Sequence, residues 1–349
     1  MPQTLKIILL AAGWATRLRP QTWSKPKPLI SVAGKAAIDH LLDGFRTLPD
    51  PSAVEYVIVY SPGLGETQIP PFMKEHYPAL KVSYVLQPVM KGQSDALWLA
   101  RQHLDGPVIV CFSDTLIETD FSFLAKEDPE GVAWVKAVPD PRRFGVAELG
   151  PDGWVTRLVE KPTEMENNRV VVGCYYFRQG RDLLAALEKH LQDGPTRKGE
   201  YFLTDTLNIM IADGLKMSVK TVDVWLDTGT IEATLETNRY LLQRLQVGTF
   251  ARSNVQTLKR ANVQLIEPVF IHESAKIRDA VIGPHASIGP ECTIENARIE
   301  DSILEAGGTV KNAALTGSFI GRQAKVEGRS ADDPPLRLNI GDNSAVILK

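Results

Sequence analysis

The chain is poor in cysteine, and the three it has, Cys111, Cys174 and Cys292, lie far apart with no C-x-x-C pair. That excludes a disulfide framework and a structural zinc knot, and an odd, patternless count fits reduced thiols in a cytoplasm. Long apolar runs are missing too. No stretch approaches the roughly 18 to 20 apolar residues of a membrane span. The first run, "IILLAAG", is shorter than the usual signal h-region and ends in a basic loop, so a cytoplasmic protein without membrane partners is expected. Net charge is only -3, which argues against nucleic-acid partners and against an anionic membrane surface. Any cationic site must therefore be local. One local absence marks the place: no Asp or Glu precedes Asp39, while Arg17, Arg19, Lys25 and Lys27 crowd the segment "LLAAGWATRLRPQTWSKPKPL".

What is present is an ordinary globular composition, 44% hydrophobic and 23% charged over 349 residues, enough for two domains. "LKIILLAA" (5–12), "VEYVIVYS" (54–61), "KVSYVLQ" (81–87) and "GPVIVCFSD" (106–114) read as buried strands. "AAIDHLLDGFRTL" (36–48) and "QSDALWLARQHL" (93–104) read as helices between them. Strands alternating with helices define a doubly wound α/β layer with a largely parallel sheet, whose ligands gather at strand carboxyl ends. From about residue 130 the texture changes. "GVAEL" and "WVTRLVEKP" flank "GPDG" as a hairpin, and "VVVGCYYF" (170–177) is a further strand. Helices are expected over 180–193, 205–214 and 231–246, the last fed by a strand within "TVDVWLDTGT" (221–230).

Beyond about residue 250, aliphatic residues recur every five or six positions, from Ile271 through Ile277, Ile282, Ile288, Ile294, Ile299, Leu304, Val310, Leu315 and Ile320 to Val326. Such a period, with small residues and Gly beside it, is the mark of a stacked parallel β-helix. Three coils of about 16 to 17 residues are expected, with Ile340 and Val346 adding a partial fourth.

A strand ending at Gly13 and followed by Thr16 and Arg17 offers backbone N–H groups of the kind that hold phosphate, and Arg17 and Lys27 add full charges. No G-x-x-x-x-G-K-[ST] sequence exists, and "GLGET" (63–67) has Gln68 where a dinucleotide fingerprint needs its third Gly, so it reads as a turn. Asp114 and Asp227 each end a strand. Two carboxylates beside a polyphosphate suit Mg²⁺, which completes its octahedron with water and phosphate. Lys161, in "EKP", reads either as a surface lysine or as a cation for a second phosphate, with Glu160 then accepting from hydroxyls.

In order, "LAAGWATRLRPQTWSKPKPL", "QPVMKGQSDAL", "FSDTL", "RFGVAEL", "VEKP", "VVGCYYF", "GEYFLTD" and "WLDTGT" resemble the motifs of sugar-1-phosphate nucleotidyltransferases, most nearly the glucose-1-phosphate thymidylyltransferases. The coils resemble the left-handed β-helix of some long members. The resemblance implies an α/β fold with a doubly wound mixed sheet over 1–245, then a linker and left-handed β-helix over 246–349. It implies that an NTP and a sugar 1-phosphate, most nearly dTTP and glucose 1-phosphate, give an NDP-sugar and pyrophosphate with Mg²⁺. Arg17, Lys27, Asp114, Lys161 and Asp227 would be catalytic, with Asp114 and Asp227 on the metal. Ala12, Gly13, Gln87, Gly92, Gly145, Glu160, Gly173 and Glu200 would bind substrate, Gln87 reading the base, Gly92 admitting the backbone close to it and Gly173 admitting the sugar.

Two positions depart from the pattern: Ala15 replaces the second Gly of G-x-G-T-R, and Ser113 a Gly before the metal Asp. If position 15 needs a positive φ, Ala is strained there by about 1 kcal/mol. The residues leave other readings open: a UTP- or GTP-specific enzyme, or a non-catalytic nucleotide-sugar-binding regulator. An acyltransferase role for the coils would rest on His272 or His285, and a structural, self-associating element, giving a homo-oligomer, is the simpler expectation.

Overall fold

The computed structural model describes residues 4–195, 199–244 and 262–348. The boundary expected at 245/246, and the last two residues of the helix expected over 231–246, lie outside them. The chain forms two compact units, each built from two stretches: Met1–Trp14 with His40–Trp225, and Ala15–Asp39 with Leu226–Lys349.

The first unit is a mixed nine-stranded sheet. Lys6–Ala11 lies between Glu55–Tyr60 and Val108–Phe112, parallel to both, and Lys81–Leu86 continues the parallel edge. These strands are near-continuous aliphatic runs because helices cover both faces of such a layer. Arg169–Phe177 then runs antiparallel against Val108–Phe112, and joins Gly131–Ala137 and the hairpin Gly145–Leu149/Val155–Glu160 to the sheet. Met217–Thr221 closes the far side, parallel to Gly131–Ala137. The strand expected over 221–230 is only Trp225–Asp227; Thr221 ends a separate strand, Met217–Thr221.

Helices Ala37–Gly44, Gln93–Leu99, Gly180–Asp193 and Leu203–Ala212 stand where apolar periodicity places them. The expected helices over 36–48 and 93–104 tighten into 3₁₀ turns at Phe45–Thr47 and Arg101–His103. Helix Leu64–His76 was hidden by Pro70 and Pro71, which sit inside it. Two prolines remove two backbone donors. Ile69 and Met73, both fully buried, hold this helix against the sheet. Of "GLGET", read as a turn over 63–67, only Gly63, at φ 73°, is one; the other four residues open this helix.

The second unit holds the β-helix. Ile271, Ile288, Leu304, Ile320 and Ile340 stack as one ladder, and Ile277, Ile294, Val310, Val326 and Val346 as another. Ile282, Ile299, Leu315 and Leu336 form the third side. Five rungs stand where aliphatic spacing alone indicates three and a partial fourth, because pairing begins at Val263 and resumes across the insertion before Asn339. Seven-residue strands such as Lys276–Ile282 turn a corner midway. Asp279, Asn296 and Asn312 take left-handed φ of 49°, 45° and 49° there, a conformation Asn and Asp tolerate better than most residues. Asn296 Nδ2 donates to Asn312 Oδ1 at 2.9 Å, so the corners bond along the stack. These features fit the left-handed type. No helix among the described residues is long and apolar enough to cross a membrane.

In the first unit a buried imidazole ties three helices together. His190 Nδ1 lies 2.8 Å from Thr206 Oγ1, which lies 2.8 Å from Ser94 Oγ. Burial holds His190 below its usual range, against the pull of Asp205 and Asp193. The folded protein keeps it neutral, while the unfolded chain protonates it near pH 6.5. Its stability contribution is therefore whole above that pH and is lost as pH falls toward the folded value. We expect the unfolding midpoint to drop between pH 7 and pH 5, and a thermal-shift series on His190→Gln to show a shallower drop.

Candidate active site

In the second unit the basic segment is wound into three short 3₁₀ turns, Thr16–Leu18, Gln21–Trp23 and Lys27–Leu29. Ala15 has φ 46° and ψ 46°, so the position does require the left-handed region that Gly ordinarily fills. Its carbonyl accepts from Leu18 N at 3.0 Å and from Thr22 Oγ1 at 2.9 Å, two bonds that hold the strained turn. Leu18 is buried and Arg17 exposed, so the turn puts the guanidinium outward. The segment's cations are not equivalent. Lys25 is buried against Glu305 in an ion pair, whereas Lys27 is half-buried. One anion of this basic stretch is thus a carboxylate of the protein itself.

Asp227 ends the strand Trp225–Asp227, and Thr237 Oγ1 donates to its carbonyl at 2.9 Å from helix Ile231–Arg244. A Cβ on Gly229 would meet Asp227 Oδ1 at 2.8 Å and Arg17 Nη2 at 3.3 Å. The "DTG" glycine therefore lets a carboxylate and a guanidinium flank one spot of bare backbone, a role the sequence reading missed.

The first unit carries the remaining candidates. Ala12 is buried after the first strand, and Gly13 is exposed with nothing within 4 Å of where a Cβ would stand. Half-buried Asp114 follows Val108–Phe112, fixed between Ser113, whose N–H donates to Leu10 O, and Thr115, whose Oγ1 donates to Val172 O at 2.7 Å. Gly173 sits where the Arg169–Phe177 pairing shifts register, at φ 81°. A Cβ there would lie 2.6 Å from the Phe112 ring. Gly145 pairs with Glu160 across the hairpin, and its missing Cβ leaves 3.2 Å to Glu160 Oε2 and 3.3 Å to Thr204 Cγ2. Lys161 Nζ lies 3.6 Å from Glu160 Oε1 and 5.3 Å from the centre of the Phe202 ring. Tyr175 stays protonated, its phenol pushed up by burial and then by the Glu160 charge.

Gln87 is buried, and its Nε2 donates to Gly92 O at 3.1 Å and Asp95 Oδ2 at 2.8 Å. Its amide N–H groups thus shape the Gly92 loop. Gly92, at φ 108°, approaches the chain so closely that a Cβ would fall 2.4 Å from Tyr201 O. Exposed Glu200 is Tyr201's neighbour. The structure thus gathers Gly145, Glu160 and Lys161 in one group, Gln87, Gly92 and Tyr201 in a second, and Arg17 and Asp227 in a third. Phe202 and Thr204, which link the first two, carried no signal beyond their place in "GEYFLTD". In the β-helix, His285 is a corner residue. Its carbonyl accepts from Asn238 Nδ2 and its Nε2 lies 3.1 Å from Gln243 Nε2. His272 is half-buried and bonded to Ser274.

The nucleotidyl transferase family model matches residues 6–244, and a model described as the GMPPB C-terminal domain matches 265–331. The chain belongs to the nucleotidyl transferase family, as a sugar-1-phosphate nucleotidyltransferase. It is 27% identical to a glucose-1-phosphate thymidylyltransferase of Streptomyces antibioticus, over 99% of this chain and 100% of that one. It is 26% identical to the low-salt glycan biosynthesis nucleotidyltransferase Agl11 of Haloferax volcanii, over 99% and 100%. It is 27% identical to the bifunctional protein GlmU of Methanococcus maripaludis, over 97% of this chain and 92% of that one. A Bacillus anthracis structure assigned as a glucose-1-phosphate thymidylyltransferase, in complex with a sucrose, superposes with TM-score 0.60. That match has 22% identity over 70% of this chain and 98% of the other, and shows the shared fold. The family works on nucleoside triphosphates and sugar phosphates and uses a divalent metal.

Relieving the turn should stabilise the protein: Ala15→Gly is expected to add about 1 kcal/mol, read by urea unfolding. Gly173→Ala should cost about 2 kcal/mol in the same assay, because it combines a strained φ with a contact on the Phe112 ring.

Proposed function

We propose that the protein joins dTTP and glucose 1-phosphate into an NDP-sugar and pyrophosphate. The observation that carries the reading is that Arg17, on the turn opened by left-handed Ala15, and Asp227 both lie beside the bare backbone of Gly229. A phosphate oxygen of the sugar 1-phosphate attacks the α-phosphorus in line. One P–O bond forms, the bond to the β-phosphate breaks, and pyrophosphate leaves with the electron pair. The enzyme's part is positioning and charge neutralisation.

Arg17 and Lys27 bind the triphosphate and meet charge developing on the departing pyrophosphate. Lys161 takes the sugar phosphate and Glu160 the sugar hydroxyls, with Glu200 beside them. Gly145, where Glu160 closes on bare backbone, and Gly173, where the Phe112 ring does, serve the sugar, and Ala12 and exposed Gly13 the nucleotide. Gln87, its amide N–H groups committed to Gly92 and Asp95, offers its Oε1 to a base N–H. Among the described residues no group of three or more His, Cys, Asp or Glu forms a metal cage. A pair of hard carboxylates, Asp114 and Asp227, suits a Mg²⁺ that draws its other ligands from phosphate and water. Bound there, the ion would lower repulsion between the two phosphates. The preference for dTTP and glucose 1-phosphate is supported by the Streptomyces antibioticus relative so named. The coils serve structure and self-association into a homo-oligomer, since His285 is spent on a corner.

Asp114→Asn and Asp227→Asn should each lower metal-dependent pyrophosphate release at least 10³-fold while the fold persists by circular dichroism. A panel of NTPs against several sugar 1-phosphates should give the highest kcat/KM for dTTP with glucose 1-phosphate. A methyl contact separates dTTP from UTP by about 1 to 3 kcal/mol. A UTP or GTP optimum would replace the assignment within the family, and nucleotide binding without turnover on any pair would select a regulator.

A further inference from the structure

The β-helix does more in this unit than extend the chain. Three of its rungs touch the basic N-terminal segment through buried polar groups. Gln21 is fully buried, and its Nε2 donates to Ile340 O at 2.8 Å, Asn339 Oδ1 at 3.0 Å and Phe319 O at 3.2 Å. Ser24 Oγ donates to Asp342 Oδ2 at 2.8 Å, and Arg322 binds the same carboxylate. From the rung below, Glu305 uses both its oxygens. Oε2 pairs with Lys25 Nζ, and Oε1 accepts from Ser31 N at 3.3 Å. Lys25 and Ser31 stand on either side of the turn Lys27–Leu29, whose internal bonds run from Leu29 N to Pro26 O and from Ile30 N to Lys27 O. Lys25 and Glu305 side chains are 5% and 1% exposed, so water does not compete for this carboxylate.

An apolar pair of the same volume would stabilise such an interior as well or better. What a carboxylate adds is direction, because its two oxygens fix two donors at once. We propose that Glu305 is a positioning residue for the reaction: from the β-helix it clamps both flanks of the Lys27 turn and so sets where that ammonium meets phosphate. This rests on the assignment of Lys27 to phosphate binding made above. It gives the β-helix a share in catalysis without a catalytic group of its own.

The test uses the full chain with Glu305→Gln and Lys25→Met/Glu305→Met. The second variant removes the unpaired buried charge and keeps the fold if the first does not. Two readouts are needed. Hydrogen exchange of the Lys27, Leu29, Ile30 and Ser31 amides should quicken at least tenfold in both variants, with the β-helix amides as protected as before. In steady-state assays on folded enzyme, kcat should fall at least tenfold in both variants while the KM for the sugar 1-phosphate stays within twofold. Unchanged exchange over 26–31 overturns the clamp, and so does a double variant that recovers stability and parental kcat together. If the parental protein turns over no substrate pair, the functional assignment fails, and the exchange data still decide the clamp.

Discussion

Burial of the basic N-terminal segment on the β-helix is the constraint from which the second unit is built. Charged and polar groups are costly to remove from water unless every one finds a partner. Here a lysine, a glutamine and a serine go in together, each against an acceptor supplied by a rung. Apolar contacts accompany them: Leu18, Ile30, Ile231, Leu235, Ile303 and Phe319 form one cluster, and Val32, Ala33, Leu242 and Phe270 another. Asn238 on helix Ile231–Arg244 is the polar centre between them. Its Oδ1 accepts from Ala33 N and Ser287 Oγ while its Nδ2 donates to His285 O. Segment, helix and coils are thus one cooperative body, although two of the three lie far apart in sequence.

The first unit works by a different rule. Its candidate residues stand at the ends of strands or beside bulges, where the ladder of backbone bonds stops and side chains or bare glycines take over. Asp114 follows the central strand, Glu160 and Gly145 end a hairpin, and Gly173 interrupts the antiparallel strand that converts a parallel layer into a mixed one. The regular sheet supplies rigidity, and at the irregular points side chains close on bare backbone.

Much of this was legible in the sequence because it depends on local period. Alternating and continuous apolar runs marked the strands, and the six-residue step marked the β-helix. Gly180–Asp193 and Gly145–Leu149 fell where their patterns begin and end. The absence of acids before Asp39 located the basic segment, and Ala15 was suspect from its place in the motif alone. What stayed hidden depends on distant partners. Nothing near Lys25 distinguishes it from Lys27. Only Glu305, 280 residues away, takes Lys25 into the interior, while Lys27 stays half-buried. Pro70 and Pro71 likewise misled, because packing of Ile69 and Met73 outweighs local propensity. Gln87 sits at its expected strand end, but the bonds that consume its amide N–H groups come from a loop that pattern cannot place.

The hydrogen bond from Gln21 to Ile340 spans 319 positions of the chain. During synthesis this segment therefore emerges long before it can be completed. At about 5 to 20 residues per second, its partners arrive tens of seconds later. Through that interval Leu18 and Ile30 are apolar groups without a floor, exposed to chaperones and to neighbouring nascent chains. A chain cut short before the third rung has every strand of the sheet but no scaffold for its basic segment.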